Sequence, residues 1–304
     1  MAPALPRLQP LLRTRVASLG EAGARWHAAL PATLDALAAD WHLDVRRPLP
    51  GGSAAYVVGV RDHHGHDLVL KVALPEDDLS DQGRVLATAR GRGYARLHAH
   101  DPARHALLME HLGDSLDRAS LEPEPALDLL VDTLGEAWAG QSEPGPGGPD
   151  KAAALGEMVR DLDAALGGPT DPRVMRTALD HAERLAGWGG RRVVAHGDPH
   201  PANLLRAPDG RGTGWVFVDP DGLAADPAYD AGVLLRDWCR RLQGTGARSL
   251  LAAWCARVAD RAGLDFERVW AWAFLERVST GLYVTSFGAE RVGRPYLDSA
   301  RALL

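Results

Sequence analysis

Apolar residues along this chain follow two rhythms. Over 43–112 they fall in short runs bounded by glycine, proline and aspartate, the mark of strands joined by turns. Residues 43–47, 55–60 and 68–73 read as three strands, with a Pro50-Gly51-Gly52-Ser53 turn after the first and an Asp62 to His66 turn after the second. A helix over 79–90 and two more strands, 94–99 and 106–112, complete this tract, and Gly113-Asp114-Ser115 reads as the turn out of it. From Ala126 onward the spacing is helical, with Leu127, Leu130, Val131, Leu134 and Trp138 on one face. After a loop over 143–149 come two helical stretches, a polar motif at 193–221, and helices over 228–243, 246–262 and 265–285. Ahead of the strands, 10–40 predicts amphipathic helices, broken near Pro31, that pack on the first core. The pattern predicts an α+β chain in two parts, 1–112 with the strands and 113–304 mainly helical.

Composition narrows the partners. A chain of 304 residues, 46% hydrophobic and 24% charged, is ordinary globular material able to bury two cores. Its apolar runs fall short of the roughly 18 residues of a membrane span. Its N-terminus lacks the apolar centre and cleavage site of a secretory signal, so a cytoplasmic protein, monomer or dimer, is expected. Cys239 and Cys255 sit in apolar helical surroundings and read as buried thiols. A formal charge of −6 argues against nucleic acid and is compatible with a cationic small molecule. Lysine occurs only at Lys71 and Lys151, which gives weight to a lysine in a suggestive place.

The chemistry concentrates in His196-Gly-Asp198-Pro-His200-Pro-Ala-Asn203 and Val218-Asp219-Pro220. Asp198 and Asn203 share one tight loop, and Asp219 follows an apolar run that should return beside it. This is the layout of a phosphoryl-transfer site, with one carboxylate to orient a hydroxyl, then an amide and a carboxylate to hold Mg2+. Lys71 interrupts the apolar run 68–73, where a buried ammonium needs an anionic partner such as a nucleotide phosphate. The Gly51-Gly52-Ser53 turn upstream would let backbone approach that phosphate. Taken singly, the turn is also an ordinary hairpin, and the lysine could snorkel from an edge strand. His196-x-Asp198-x-His200 also has metal-hydrolase spacing, but that chemistry has no use for Lys71 or the glycine turn. The histidines at 63, 64 and 66 read as a solvated hairpin tip. Asp226 and Asp230 read as supports of the loop and cap of the following helix.

These residues, with Asp226-Pro-Ala-Tyr-Asp230, resemble the aminoglycoside phosphotransferases, nearest the streptomycin 6-phosphotransferase and hydroxyurea phosphotransferase branch. The resemblance runs from about Pro48 to the C-terminus. It implies a protein-kinase-like two-lobed fold, a small antiparallel-sheet lobe for the nucleotide and a helical lobe with the catalytic loop and the acceptor. It also implies ATP and Mg2+ as cofactors, Asp198 as catalytic base, and Asn203 and Asp219 as metal ligands. Lys71 and Gly51 to Ser53 would meet the phosphates, and the hinge Met109, Glu110 and Leu112 the purine. His196 would brace the loop. Where the family pairs its strand lysine with a helix glutamate, this chain has Gln82, or Asp81 after a slip of one position. The acceptor would be a hydroxyl compound, foremost a cationic aminoglycoside such as streptomycin, for which Asp237, Glu276 and Glu290 are candidate carboxylates. A kinase of a metabolic hydroxyl compound and a catalytically weak binding protein are the alternatives.

Overall fold

The computed structural model describes residues 6–52, 54–144 and 150–304; Ser53 and part of the expected 143–149 loop lie outside them. The chain divides into two compact units, Met1–Gly113 and Asp114–Leu304.

The first unit is built on one antiparallel sheet of five strands, β1 (Leu43–Pro48), β2 (Ala55–Asp62), β3 (Asp67–Ala73), β4 (Leu97–Asp101) and β5 (Ala106–Glu110), in the order β1-β2-β3-β5-β4. Alternation assigns the faces. Tyr56, Val58, Val60, Leu68, Leu70, Val72 and Leu108 form one core with Leu30, Leu34 and Leu37 of helix α2 (Gly20–Trp41) and Leu12 of α1 (Pro10–Ser18). Each buried leucine there contributes about 1.5–3 kcal/mol of transfer energy. The neighbouring register row, Val57, Lys71 and Leu107, belongs to the opposite face, beside α3 (Ser80–Ala89).

Two expectations change here. The break in the N-terminal helices falls at Leu19–Gly20, with Gly20 at φ 56, and Pro31 lies inside α2. Burial of Leu30, Leu34 and Leu37 on either side of Pro31 holds the helix through the hydrogen bond the proline cannot make. Strand β4 begins at Leu97 rather than 94, because Tyr94 and Ala95 turn fully into the core.

The second unit is helical: α4 (Pro123–Ala139), α5 (Lys151–Ala165), α6 (Pro172–Leu185), α7 (Pro227–Leu234), α8 (Ala247–Ala262), α9 (Phe266–Ser286) and α10 (Glu290–Ala302). Helix α9 is apolar nearly all round and is the centre, with α5, α6, α7, α8 and α10 packed against it. Asp150, Asp171, Asp226 and Asp265 cap α5, α6, α7 and α9, and each accepts at least one backbone N–H from the first turn. The expected helix over 228–243 stops at Leu234. Its next carbonyls are taken by the fully buried Arg277 of α9, which donates to Leu235 O at 2.6 Å and Arg236 O at 3.0 Å, and Trp238 adopts φ 57. Helix α10 escaped the sequence reading. Gly293 lets it lie against α9, since a Cβ there would meet Gly281 O at 2.5 Å. Both cysteines are buried free thiols. Among the described residues no helix is long and apolar enough to cross a membrane.

Candidate active site

Two short two-stranded sheets carry the reacting motif. Strand β6 (Val193–Ala195) pairs antiparallel with β9 (Leu223–Ala225), and β7 (Leu204–Arg206) with β8 (Trp215–Phe217). His196 and Asp198 follow β6, Asn203 precedes β7, and Asp219 follows β8, so strand ends deliver all four. Their loops are tied to one another: Val218 N donates to Asn203 O at 2.9 Å, Asp221 N to His196 O at 2.7 Å, and Asn203 Nδ2 to Asp198 O at 3.0 Å. Asp219 takes the left-handed φ of 58, at the point where the chain turns out of β8.

His196 is fully buried and both ring nitrogens are committed. Nδ1 accepts Asp198 N at 3.1 Å, which fixes the proton on Nε2, and Nε2 donates to Val218 O at 3.0 Å. Burial pushes its pKa down to about 4, so the ring is neutral, and with both nitrogens taken by backbone groups it is a brace with no lone pair left for a metal, which removes the basis of the hydrolase alternative. Beneath it, buried Asp230 accepts His196 N and Gly197 N, each at 2.8 Å, and Trp138 Nε1 at 2.9 Å. Tyr229 adds its hydroxyl to Gly197 O at 3.0 Å. Burial raises the Asp230 carboxyl to about 6, against the pull of these donors. Asp226 caps α7 through Ala228 N at 3.0 Å and also takes Arg268 and, at 3.0 Å, Trp272 Nε1.

Asp198 itself stands between a guanidinium and an imidazole. Arg236 Nη2 donates to Oδ1, and His200 Nε2 lies 3.4 Å from Oδ2. Burial alone would raise this carboxyl; His200 and Arg236 outweigh it and hold it well below the usual carboxylate range. Asp198 is therefore ionised whenever the protein is folded near neutrality. Close by, Asp221 is pushed up to about 6 by desolvation of its carboxyl and by the charges of Asp198 and Asp219. Lys151 lies 5.2 Å from the Tyr229 ring centre, and its charge reaches Asp221.

The three acceptor carboxylates fare differently. Asp237 lines a groove of about 320 Å3 with His200, Trp238, Asp117 and Ser120. Glu276, expected to face the acceptor, is instead buried on α9 and takes Arg236 Nη1 at 3.4 Å. Glu290 is exposed in the first turn of α10, and none of the contacts around Asp198 involves it. Arg236 was missed by the sequence reading, because a polar residue inside an apparent helix carries no distinguishing signal.

In the first unit, buried Lys71 donates to Gln82 Oε1 at 3.0 Å. Asp81 is exposed and pairs with Arg84 at 2.8 Å, so the slipped register is not used. The segment carrying Gly51 and Gly52 is anchored by Gln9, whose Nε2 donates to Leu49 O and Val57 O, each at 2.8 Å. A Cβ at Gly52 would meet open space, while one at Gly51 would press on Val57 at 3.1 Å. Glu110 N donates to Arg96 O at 3.0 Å, and β5 ends there, so Leu112 lies past the sheet ladder.

An antiparallel five-stranded unit with a buried strand lysine, and a helical unit presenting Asp198, Asn203 and Asp219 from strand ends, define a protein-kinase-like phosphotransferase. The family model for aminoglycoside/hydroxyurea antibiotic resistance kinases matches residues 40–288, and the chain belongs to that family. It is 30% identical to a streptomycin 6-kinase of Streptomyces glaucescens, over 97% of this chain and 96% of that one, and 26% identical to a hydroxyurea phosphotransferase of Kitasatospora aureofaciens, over 94% and 82%. The fold is shared with an aminoglycoside phosphotransferase from Streptomyces rimosus solved with ADP and streptomycin, at TM-score 0.55 and 21% identity, covering 83% of this chain and 98% of that one. A choline kinase from Streptococcus pneumoniae also has it, at TM-score 0.59 and 15% identity, covering 88% and 96%. The chain is an ATP-dependent phosphotransferase acting on a hydroxyl group.

Proposed function

We propose that this protein moves the γ-phosphoryl of ATP to a hydroxyl of an aminoglycoside, with streptomycin the first acceptor to test. The observation that carries the reading is the cross-linked loop holding Asp198, Asn203 and Asp219 together in the unit shared with the streptomycin 6-kinases. Asp198, ionised and half-exposed, aligns the acceptor hydroxyl and takes its proton as the phosphorus–oxygen bond forms. Asn203 suits Mg2+, because its Nδ2 is spent on Asp198 O and its Oδ1 is left as a hard oxygen ligand beside the Asp219 carboxylate. Bound there, the ion would neutralise charge on the phosphate oxygens. Lys71, set by Gln82, meets the nucleotide phosphates together with the backbone of the Gly51 to Ser53 turn. Glu110 C=O and Leu112 N–H serve the purine. The acceptor enters the groove at His200, where Asp237 offers its cationic groups a carboxylate.

The test incubates the protein with labelled ATP and a panel of aminoglycosides, hydroxyurea and metabolic hydroxyl compounds, with mass detection of product. Transfer to streptomycin is expected. Asp198→Ala should lower kcat by about 10²–10⁴-fold with nucleotide binding retained. Near-normal turnover by Asp198→Ala would sink the assignment of Asp198, and transfer only to a metabolic compound would sink that of the acceptor.

A further inference from the structure

Asp198 is held from behind by an arginine that is itself gripped at both ends. The guanidinium of Arg236 reaches Asp198 Oδ1 through Nη2 and Glu276 Oε2 through Nη1, the latter at 3.4 Å. Side-chain exposure falls from 39% at Asp198 to 17% at Arg236 and 5% at Glu276, so the chain of contacts leads from the reacting face into the core. The backbone is fixed as well, because Arg277, the neighbour of Glu276 on α9, takes Arg236 O at 3.0 Å. Adjacent residues of one helix thus hold the guanidinium and the carbonyl of the same residue.

Stability alone explains this poorly. A buried ion pair is often no more stabilising than apolar side chains of the same volume. What the arrangement supplies is orientation. Asp198 has Arg236 on one oxygen and His200 Nε2, at 3.4 Å, on the other, which fixes the rotation of the carboxylate plane. A guanidinium stays charged and neither gives nor takes a proton near neutral pH, so it orients the carboxylate without competing for the acceptor's proton.

We infer that Arg236, clamped by Glu276 and Arg277, is a positioning residue that fixes the Asp198 carboxylate in the one orientation in which it meets the acceptor hydroxyl. The inference rests on the assignment of Asp198 proposed above. A purely structural Arg236 would tie the end of α7 to α9, and its loss would lower stability without a specific defect in turnover.

The experiment compares full-length wild type with R236A, R236K and E276Q, measuring kcat and KM for ATP and streptomycin, the melting temperature, and recovery by added methylguanidinium. R236A should lose about 100-fold in kcat, the penalty of misplacing a reacting group by about an ångström, with KM for ATP near the wild-type value. R236K keeps the charge but cannot bridge both carboxylates, so it should fall between the two. Methylguanidinium should restore part of the R236A turnover, and tetramethylammonium should not. E276Q retains a neutral acceptor for the guanidinium and should lose less than R236A. If R236A fails to fold, R236K and E276Q carry the comparison. Wild-type kcat in a folded R236A, or a loss confined to the melting temperature with no rescue, overturns the inference while the proposed function stands. A wild type that phosphorylates no acceptor overturns both.

Discussion

Lys71 donates its ammonium to Gln82 Oε1 at 3.0 Å, so a neutral amide on α3 sets the strand lysine. Replacing Gln82 by Ala removes that acceptor from a buried cation, at a cost of about 1–3 kcal/mol. The melting temperature should fall and KM for ATP should rise. Gln82→Glu turns the contact into an ion pair and should raise the melting temperature above wild type. Thermal scans and initial rates on the two variants check this, and an unchanged KM in Gln82→Ala would show that α3 does not position the lysine.

Gly197 has little freedom to change. It stands at φ 91, its N–H is given to Asp230, and a Cβ would meet Asp221 Oδ2 at 2.2 Å. Gly197→Ala must therefore displace the Asp221 side chain or shift the backbone next to Asp198. A loss of about 100-fold in kcat is expected, together with strain of about 1–3 kcal/mol. Hydrogen exchange at His196 and Gly197, whose amides both end on Asp230, should become faster in the variant; protection equal to wild type would contradict the expected shift.

How far the sequence disclosed this site depends on how local each cause is. The apolar run at Leu68 to Ala73 was enough to mark a strand with Lys71 inside it, and the period of two along that strand puts Lys71 on the face opposite Leu70. Asp226 before Pro227 was enough to announce the start of α7. The end of that helix was not legible. Its terminator, Arg277, lies on another helix some forty residues later, so the pattern ran on to 243 and hid Arg236 in a helical extension that does not exist. Pro31 misled in the reverse sense, since tertiary burial of its neighbours outweighs the missing hydrogen bond. Glu276 likewise looked like a surface carboxylate until the packing of α9 placed it in the core.

Asp226 gathers three roles in one buried carboxyl group. It caps α7 at Ala228 N, accepts Arg268 Nε at 2.9 Å, and accepts Trp272 Nε1. Arg268 also stacks over Trp188, 3.8 Å from the ring centre, so it cannot turn to water without breaking that contact. Asp226→Ala leaves this guanidinium partly buried without its carboxylate, a change that costs about 3–5 kcal/mol. For a unit of this size the melting temperature should drop by roughly 10 °C. Asp226→Asn keeps an acceptor for the cap and the indole and should drop less. Equal effects of the two substitutions would mean that the charge on Asp226 contributes nothing.

Acid should weaken the fold through its buried histidines. Burial holds His196 down at about 4, and burial together with the Arg184 charge does the same to His181, whose ring packs 5.3 Å from that of Phe274. An unfolded histidine titrates near 6.5, so between pH 6.5 and 4 the unfolded chain binds more protons than the folded one. The contribution of each is complete above that window and is lost as pH falls through it, by up to about 3 kcal/mol per histidine. Asp230, raised to about 6, acts in the opposite sense over much of the same range, which makes the total profile shallow. A variant isolates one term. His181→Gln keeps an acceptor for Arg184, which donates to Nδ1 at 2.6 Å, and removes the titration. Urea unfolding at pH 7.5, 6, 5 and 4 (about one-unit steps across the window) should give a slope of stability against pH that differs from wild type by about one proton. Parallel slopes in the two proteins would place the acid sensitivity elsewhere, in His196 or in the carboxylates around Asp198.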